Sequence, residues 1–359
     1  MTYVRFTDGI ETIEPDEAET AAALTETMQK ISATTFKDEG HALRSVHAKS
    51  HALLDGELIV ATGLPPELAQ GLFAMSATYK VAMRVSTSPG DLMDDHVSTP
   101  RGMALKVFDV PGAQLSGSAT DTTQDFLLVD GPAFLVATPK AFLGNVKLLA
   151  ATTDKGEGLK RAFSRVARGL ESAIEAVGGE SGKLISLGGH KITHPLGETY
   201  YSQVPIRFGD HIAKVAVVPV GALAALKDQP VDLADKENGL RAAIGETLAH
   251  SGGEWEVQVQ LCTDLETMPV EDASIAWPED ASPFRTVARL KVAAQPSWSL
   301  ANKSAIDDGL AFSPWHGLAA HRPLGGIQRV RQPVYFALQA ERSARSGCPF
   351  LEGSRHAAG

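Results

Sequence analysis

The sequence predicts an α+β protein, an antiparallel β-barrel core with helical additions, on two observations. About eight segments carry strand patterning and fall into two batches, with a block of helical periodicity between them. The chain, 359 residues and 43% hydrophobic, is also long enough to bury one large core or two ordinary ones.

The elements follow in order. After Pro15, a residue suited to a first helical turn, Leu24, Met28 and Ile31 recur at helical spacing with acids on the other faces. "GELIVATG" (56–63) reads as a strand closed by Gly63 and Pro65, and Leu68, Leu72 and Met75 then share one stripe of an expected helix. "YKVAMRVSTSPG" (79–90) and "GMALKVFDVPG" (102–112) alternate as strands, each ended by Pro-Gly. "DFLLVDGPAFLVATP" (125–139) adds strand material. From Pro139 the period changes. Residues 139–151 and 157–177 read as helices, the second through Leu159, Phe163, Val166, Leu170 and Ile174. Strand patterning returns at 210–219, 254–263 and 284–292, with a helix-bearing connection at 230–250.

Charge and composition narrow the function. A formal charge of −10 argues against a nucleic-acid or anionic-membrane surface, which needs clustered Lys and Arg; a small neutral substrate fits better. The longest apolar run, Val215 to Leu226, is about 12 residues and contains Pro219 and Gly221, short of the roughly 20 that cross a bilayer. The first residues are acidic where a signal peptide is basic, so a cytoplasmic protein is expected. Cys262 and Cys348 form no CxxC or CxxCH, which excludes a zinc knuckle and covalent c-type haem attachment. Neither GxxxxGK[ST], HExxH nor GxSxG is present. His190 and His194 stand four apart, but no acidic third ligand lies in reach by spacing, and no metal site is expected there.

Two stretches carry chemistry. In the C-terminal quarter Arg331, Tyr335 and Arg342 fall at i, i+4 and i+11, one face of a helix expected to start near Gln332 or Pro333 with Arg331 at its entrance. Cations near a phenol favour its ionised form, and tyrosinate is one of the few axial ligands of ferric haem iron. Near the other end, "RSVHAKS" (44–50) sets Arg44 three residues before His47. Taken singly, these patterns also describe a packing pair in a helix and a structural histidine.

Their order along the chain resembles the haem catalases. "RSVHAKS" resembles the family's distal segment, "MRVSTSPG" its Arg-x-Ser-Thr strand, "TPRGMALKVF" its Pro-Arg-Gly segment, and Arg331-x-x-x-Tyr335 followed by Arg342 its proximal motif, over about residues 35 to 345. "VQVQLCTDLETMPVEDASIAWPE", "SPW" and "HRPLGGI" further resemble a small bacterial branch of catalase-like haem proteins. The resemblance implies a catalase-like haem-binding domain at 35–347, preceded by an N-terminal arm and helix at 1–34 and followed by a tail at 348–359. It implies haem b as cofactor, Tyr335 as iron ligand, and Arg331 as the cation that holds Tyr335 ionised. Arg342 falls on the same proximal side, Arg44 and Arg84 become propionate partners, His47 the distal base, and Ser86 a partner of His47 or of a water. A homo-oligomer is implied as well, with residues 1–14 as a possible exchanged arm.

The expected activity is haem-dependent processing of a small hydroperoxide, as a peroxidase or weak catalase. His47 takes the peroxide proton and returns it to the departing oxygen. The chain departs from the family pattern at two places. Aligning "VDGPAF" puts Asp130 where catalases have an asparagine, and an ionised Asp130 beside His47 would raise the histidine's pKa and slow dismutation. "FAL" replaces the Asp-Thr that usually follows the proximal tyrosine, which leaves the arginine less braced. The long catalases' C-terminal region has no counterpart, so no NADPH site is expected. Two alternatives stay open: a fatty-acid hydroperoxide isomerase or lyase, against which Val46 speaks because a threonine is usual there, and a non-catalytic haem-binding protein.

Overall fold

The computed structural model describes residues 2–88, 90, 92–115, 122–150, 191–233 and 236–346. Nine strands among them form one antiparallel sheet: β1 (Lys49–Val60), β2 (Thr78–Thr87), β3 (Arg101–Val107), β4 (Gln124–Val129), β5 (Tyr200–Tyr201), β6 (Ile206–Phe208), β7 (His211–Pro219), β8 (Gly253–Leu261) and β9 (Arg285–Val292). The order β4-β3-β2-β1-β9-β8-β7 is closed by β5, which pairs with both β4 and β7. The result is an eight-stranded barrel with β6 sharing the β7 edge. Closure of this kind removes exposed strand edges.

Side-chain alternation sorts the barrel residues. Met83, Val85, Met103, Leu105, Phe126 and Leu128 join the apolar barrel interior with Val215, Val257 and Leu290. Their neighbours point outward, and that outer face is covered too. Leu53, Ala82, Ala104 and Leu127 pack there against Ile306, Leu310 and Phe312. This double burial explains why β2 is buried at six consecutive positions, Val81 to Ser86.

Among the described residues, three long helices form the layer outside: α1 (Glu17–Glu39), α2 (Pro139–Ala150) and, after α3 (Gly239–Ser251) on another side, α4 (Gly326–Ser346). Leu24, Met28 and Ile31 of α1 pack on Val146 of α2 and on Val330 and Val334 of α4, with Leu338 at the margin. Spaced by four, Val330, Val334 and Leu338 make one stripe of α4, which turns Arg331, Tyr335 and Arg342 to another face. Gly40, at φ +64°, ends α1 and donates its N–H to Phe36.

Three sequence expectations change. No helix follows residue 63: Pro65, Pro66 and a left-handed Gly71 leave one short turn at Gly71–Phe73, and Met75 is exposed. β1 begins at Lys49, ahead of the expected Gly56. α4 begins at Gly326, so Pro333 lies inside it and Arg331 in its second turn, because Glu271 accepts the Gly326 N–H at 2.7 Å and Glu11 that of Gly325 at 2.9 Å. The expected helix at 157–177 and the tail at 348–359 lie outside the described residues. Within residues 1–14, read as an N-terminal arm, Val4, Phe6 and Ile10 pack against the cluster of Ile212, Cys262, Met268 and Trp277 in the same chain. Among the described residues no helix is long and apolar enough to cross a membrane.

Candidate functional site

The site lies where the outer face of β2 and β3 meets α4. Cross-strand register puts Ser86 opposite Gly102 and Arg84 opposite Ala104, all on that outer face. The chain reaches it through the loop after α1, which is pinned by Val46 in the helical cluster. The next residue, His47, has φ +52°, a left-handed conformation uncommon outside glycine and asparagine. It turns the imidazole flat onto β3: a Cβ at Gly102 would stand 2.7 Å from both Cε1 and Nδ1 of His47. Only a glycine leaves room for this ring.

His47 Nδ1 is buried and has no hydrogen-bond partner among the described residues. Burial, then the fields of Arg84 and Arg331, push its pKa down to about 3. The expected rise caused by Asp130 is therefore reversed. Asp130 sits just past the end of β4 and turns back on β3, where its Oδ1 accepts the Arg101 N–H at 2.9 Å and its Oδ2 lies 3.7 Å from the Arg101 guanidinium. Burial lifts its own pKa to about 6. The groups that act on His47 are Arg84 and Arg331.

Facing them, Arg331 donates through Nη2 to the Tyr335 hydroxyl at 2.9 Å and through Nη1 to Gln328 Oε1 at 3.1 Å. Its guanidinium carbon stands 5.1 Å from the Tyr335 ring centre. Gln328, 3% exposed, thus supplies a brace where the motif lacks Asp-Thr. Among the described residues no carboxylate pairs with Arg331. Phe336, the next residue, stacks on the buried His316 ring, 6.1 Å between centres.

Arg44, Arg84 and Arg342 converge on one turn. A short helix, Leu300–Asn302, runs into a π-helical turn, Lys303–Asp308, a widened geometry frequent at functional sites. Arg44 Nη1 and Arg84 Nε donate to Asp307 Oδ1 at 2.5 and 2.6 Å, and Ser50 donates to Oδ2 at 2.7 Å. Arg342 donates to the Asp307 carbonyl at 2.6 Å, and both Arg342 and Arg44 reach the Leu310 carbonyl at 3.1 Å. Burial opposes the Asp307 charge, but Arg84 and Arg44 outweigh it and hold its pKa well below the carboxylate range. In return, burial and mutual repulsion lower Arg44, and burial first brings Arg342 down to about 10. Sequence reasoning found the three arginines and missed Asp307, Ser50, Gly102 and Gln328. Ser50 closes "RSVHAKS" and Gly102 belongs to "TPRGMALKVF", but neither was given a role; for Asp307 the only trace was the adjacent acidic pair in "SAIDDGLAF". His194 is spent on α3, against Thr247 and the Ala243 carbonyl, and His190 lies outside the described residues.

No protein-family model matches the sequence, and no curated protein matches it. Solved structures do. A fungal catalase matches with a TM-score of 0.62 at 17% identity, over 90% of this chain and 63% of that one. Catalase A from Saccharomyces cerevisiae matches at 0.60 and 15% over 96% and 67%, and a bacterial catalase at 0.59 and 15% over 95% and 63%. The fold is catalase-like. This chain spans about two thirds of the length of those catalases.

Proposed function

We propose that the chain binds haem b, whose iron Tyr335 would ligate through its phenol oxygen, and processes a small hydroperoxide, with His47 handling the proton. One observation supports the reading: Arg331 holds the Tyr335 hydroxyl at 2.9 Å on a helix whose Arg342 meets the turn that Arg44, three residues before His47, also grips. The residues fit the group. A tyrosine oxygen beside a guanidinium suits ferric iron, buried arginines suit porphyrin carboxylates, and the His47 Nδ1 has no partner to hold its ring away from a ligand.

Bound haem supplies the redox chemistry that breaks an O–O bond. His47 does the proton work: its pKa of about 3 keeps it neutral at pH 7, ready to accept. With Nδ1 sealed against Gly102, Nε2 takes the hydroperoxide proton and returns it to the departing oxygen. Such a weak base gives the proton back readily, so the second half of the exchange is favoured over the first. The left-handed backbone and the ring's seat on Gly102 hold the imidazole in one orientation.

The test is an absorption spectrum of the purified chain reconstituted with ferric haem, before and after hydrogen peroxide. A tyrosinate-type ferric spectrum that responds to peroxide supports the reading, and absence of binding overturns it. Oxygen evolution separates a catalase from a carrier. Product analysis with a fatty-acid hydroperoxide separates reduction from isomerisation or lysis.

A further inference from the structure

The arginines assigned to the propionates are not waiting empty-handed. Arg84 and Asp307 are 2% and 6% exposed, and the Asp307 carboxylate takes one donor from Arg44, one from Arg84 and one from Ser50. Arg342 fixes the same turn through its carbonyl, and Arg241 of α3 enters the corner through the Ser50 carbonyl at 2.8 Å. The neighbouring Asp308 is engaged elsewhere, by Lys303 at 2.9 Å and His41 at 2.8 Å. Among the described residues, then, Asp307 is the one carboxylate at ion-pair distance from Arg44 and Arg84.

Buried cations need a counter-charge or they destabilise the fold. A chain that relied on a ligand's carboxylates alone would leave these guanidinia uncompensated until the ligand arrived. We propose that Asp307 is a resident counter-ion that stands in for a ligand carboxylate at the propionate end of the site. It keeps the arginine corner folded without ligand, and its negative charge weakens the hold on the ligand's carboxylates once they dock. This rests on the haem reading above. It makes Asp307 a specificity-determining residue that sets how strongly this chain depends on the acid groups of a tetrapyrrole.

The experiment titrates the full chain and its Asp307→Asn variant with ferric haem and with ferric haem dimethyl ester, by absorbance, and records thermal melts of each without and with ligand. The wild type is expected to prefer the free acid over the ester only modestly. In the variant this preference should rise at least about tenfold, the size of one charge-assisted hydrogen bond. The variant should also melt lower than wild type without ligand and recover with haem, but not with the ester. If it folds only in the presence of haem, the stand-in role is supported. If it folds neither alone nor with haem, a ligand carboxylate cannot replace Asp307 and the proposal is overturned. An unchanged preference, with haem bound by both proteins, also overturns it and leaves the haem reading standing. A wild type that binds neither porphyrin overturns both.

Discussion

The two halves of α4 face opposite charge imbalances. Near its start Arg329 meets three carboxylates, Glu11 at 2.7 Å, Glu17 at 2.7 Å and Glu271 at 3.0 Å, and Arg322 shares Glu11 at 2.7 Å. Near its end Arg342 joins Arg44 and Arg84 around a turn that offers Asp307. Burial works against the Arg329 charge, yet its bonds to Glu17, Glu271 and Glu11 carry its pKa above the ordinary arginine range, whereas Arg44 and Arg342 are pushed down. The acid-rich end is complete within the chain and suits the positive pole of the helix. It anchors Arg331 and Tyr335 and asks for nothing more. The cation-rich end is the one that further negative charge would relieve, and it borders His47. Under the proposed function, that excess positive charge is what a ligand's carboxylates would meet.

The largest expected effect tests the working end. His47→Ala should lower peroxide turnover by about 100-fold to 10,000-fold with haem still bound; near-normal turnover would reduce His47 to a packing residue. Because its pKa of about 3 lies below the ordinary 6.5, the unfolded chain takes up this proton first as pH falls, and stability is lost from pH 6.5 toward 3. Melting curves of the variant against pH should lose that component.

Tyr335→Phe keeps the ring and removes the oxygen that Arg331 holds. Haem affinity should drop by at least the roughly 100-fold seen when partners behind a metal ligand are removed, checked by haem titration. Retained affinity with an unchanged spectrum would move the ligand elsewhere.

Arg329→Gln probes the opposite end. It takes the cation from Glu17 and Glu271, while Glu11 keeps Arg322 at 2.7 Å, and should cost about 3 kcal/mol in denaturant unfolding. A variant of normal stability would erase the contrast between an anchoring end and a binding end.

The smallest effect is expected from Asp130→Asn, measured as peroxide turnover and as stability against pH. Asp130 acts on Arg101 rather than on His47, so turnover should stay within about threefold of wild type, as for sites that share no partner. The folded pKa of about 6 exceeds the ordinary 3.8, so the folded state holds this proton more tightly and the group subtracts stability as pH rises from 3.8 to 6. The variant should lose that decline. A large change in turnover would place Asp130 within reach of His47.

Local pattern made most of the barrel legible. β7, β8 and β9 begin and end within about two residues of their expected bounds, and β2 and β3 begin within one but end three and five residues early, because one face is apolar while the Pro-Gly turns were counted into the strands. The start of β1 was hidden because Lys49, Ser50 and His51 are polar yet buried, held by partners such as Asp95, Asp307 and Thr87 that lie far along the chain. The start of α4 was misplaced for the same reason, since its capping carboxylates come from residues 11 and 271. At the site, residues in short motifs could be read. The role of Gly102, though it lies in a motif, and that of Asp307 could not, since one matters for the space it leaves and the other for the arginines that gather on it.

The barrel closes through very little. β1 and β2 share ten paired positions, but β5 contributes one to β4 and two to β7. Such a ladder opens locally at low free energy, well before the chain unfolds as a whole. On ladder length alone, the Tyr200 and Tyr201 amides should exchange faster than those at the centre of β1. Within the barrel wall, deuterium should enter first along this two-residue zip, and a protease that catches the barrel ajar would find it there.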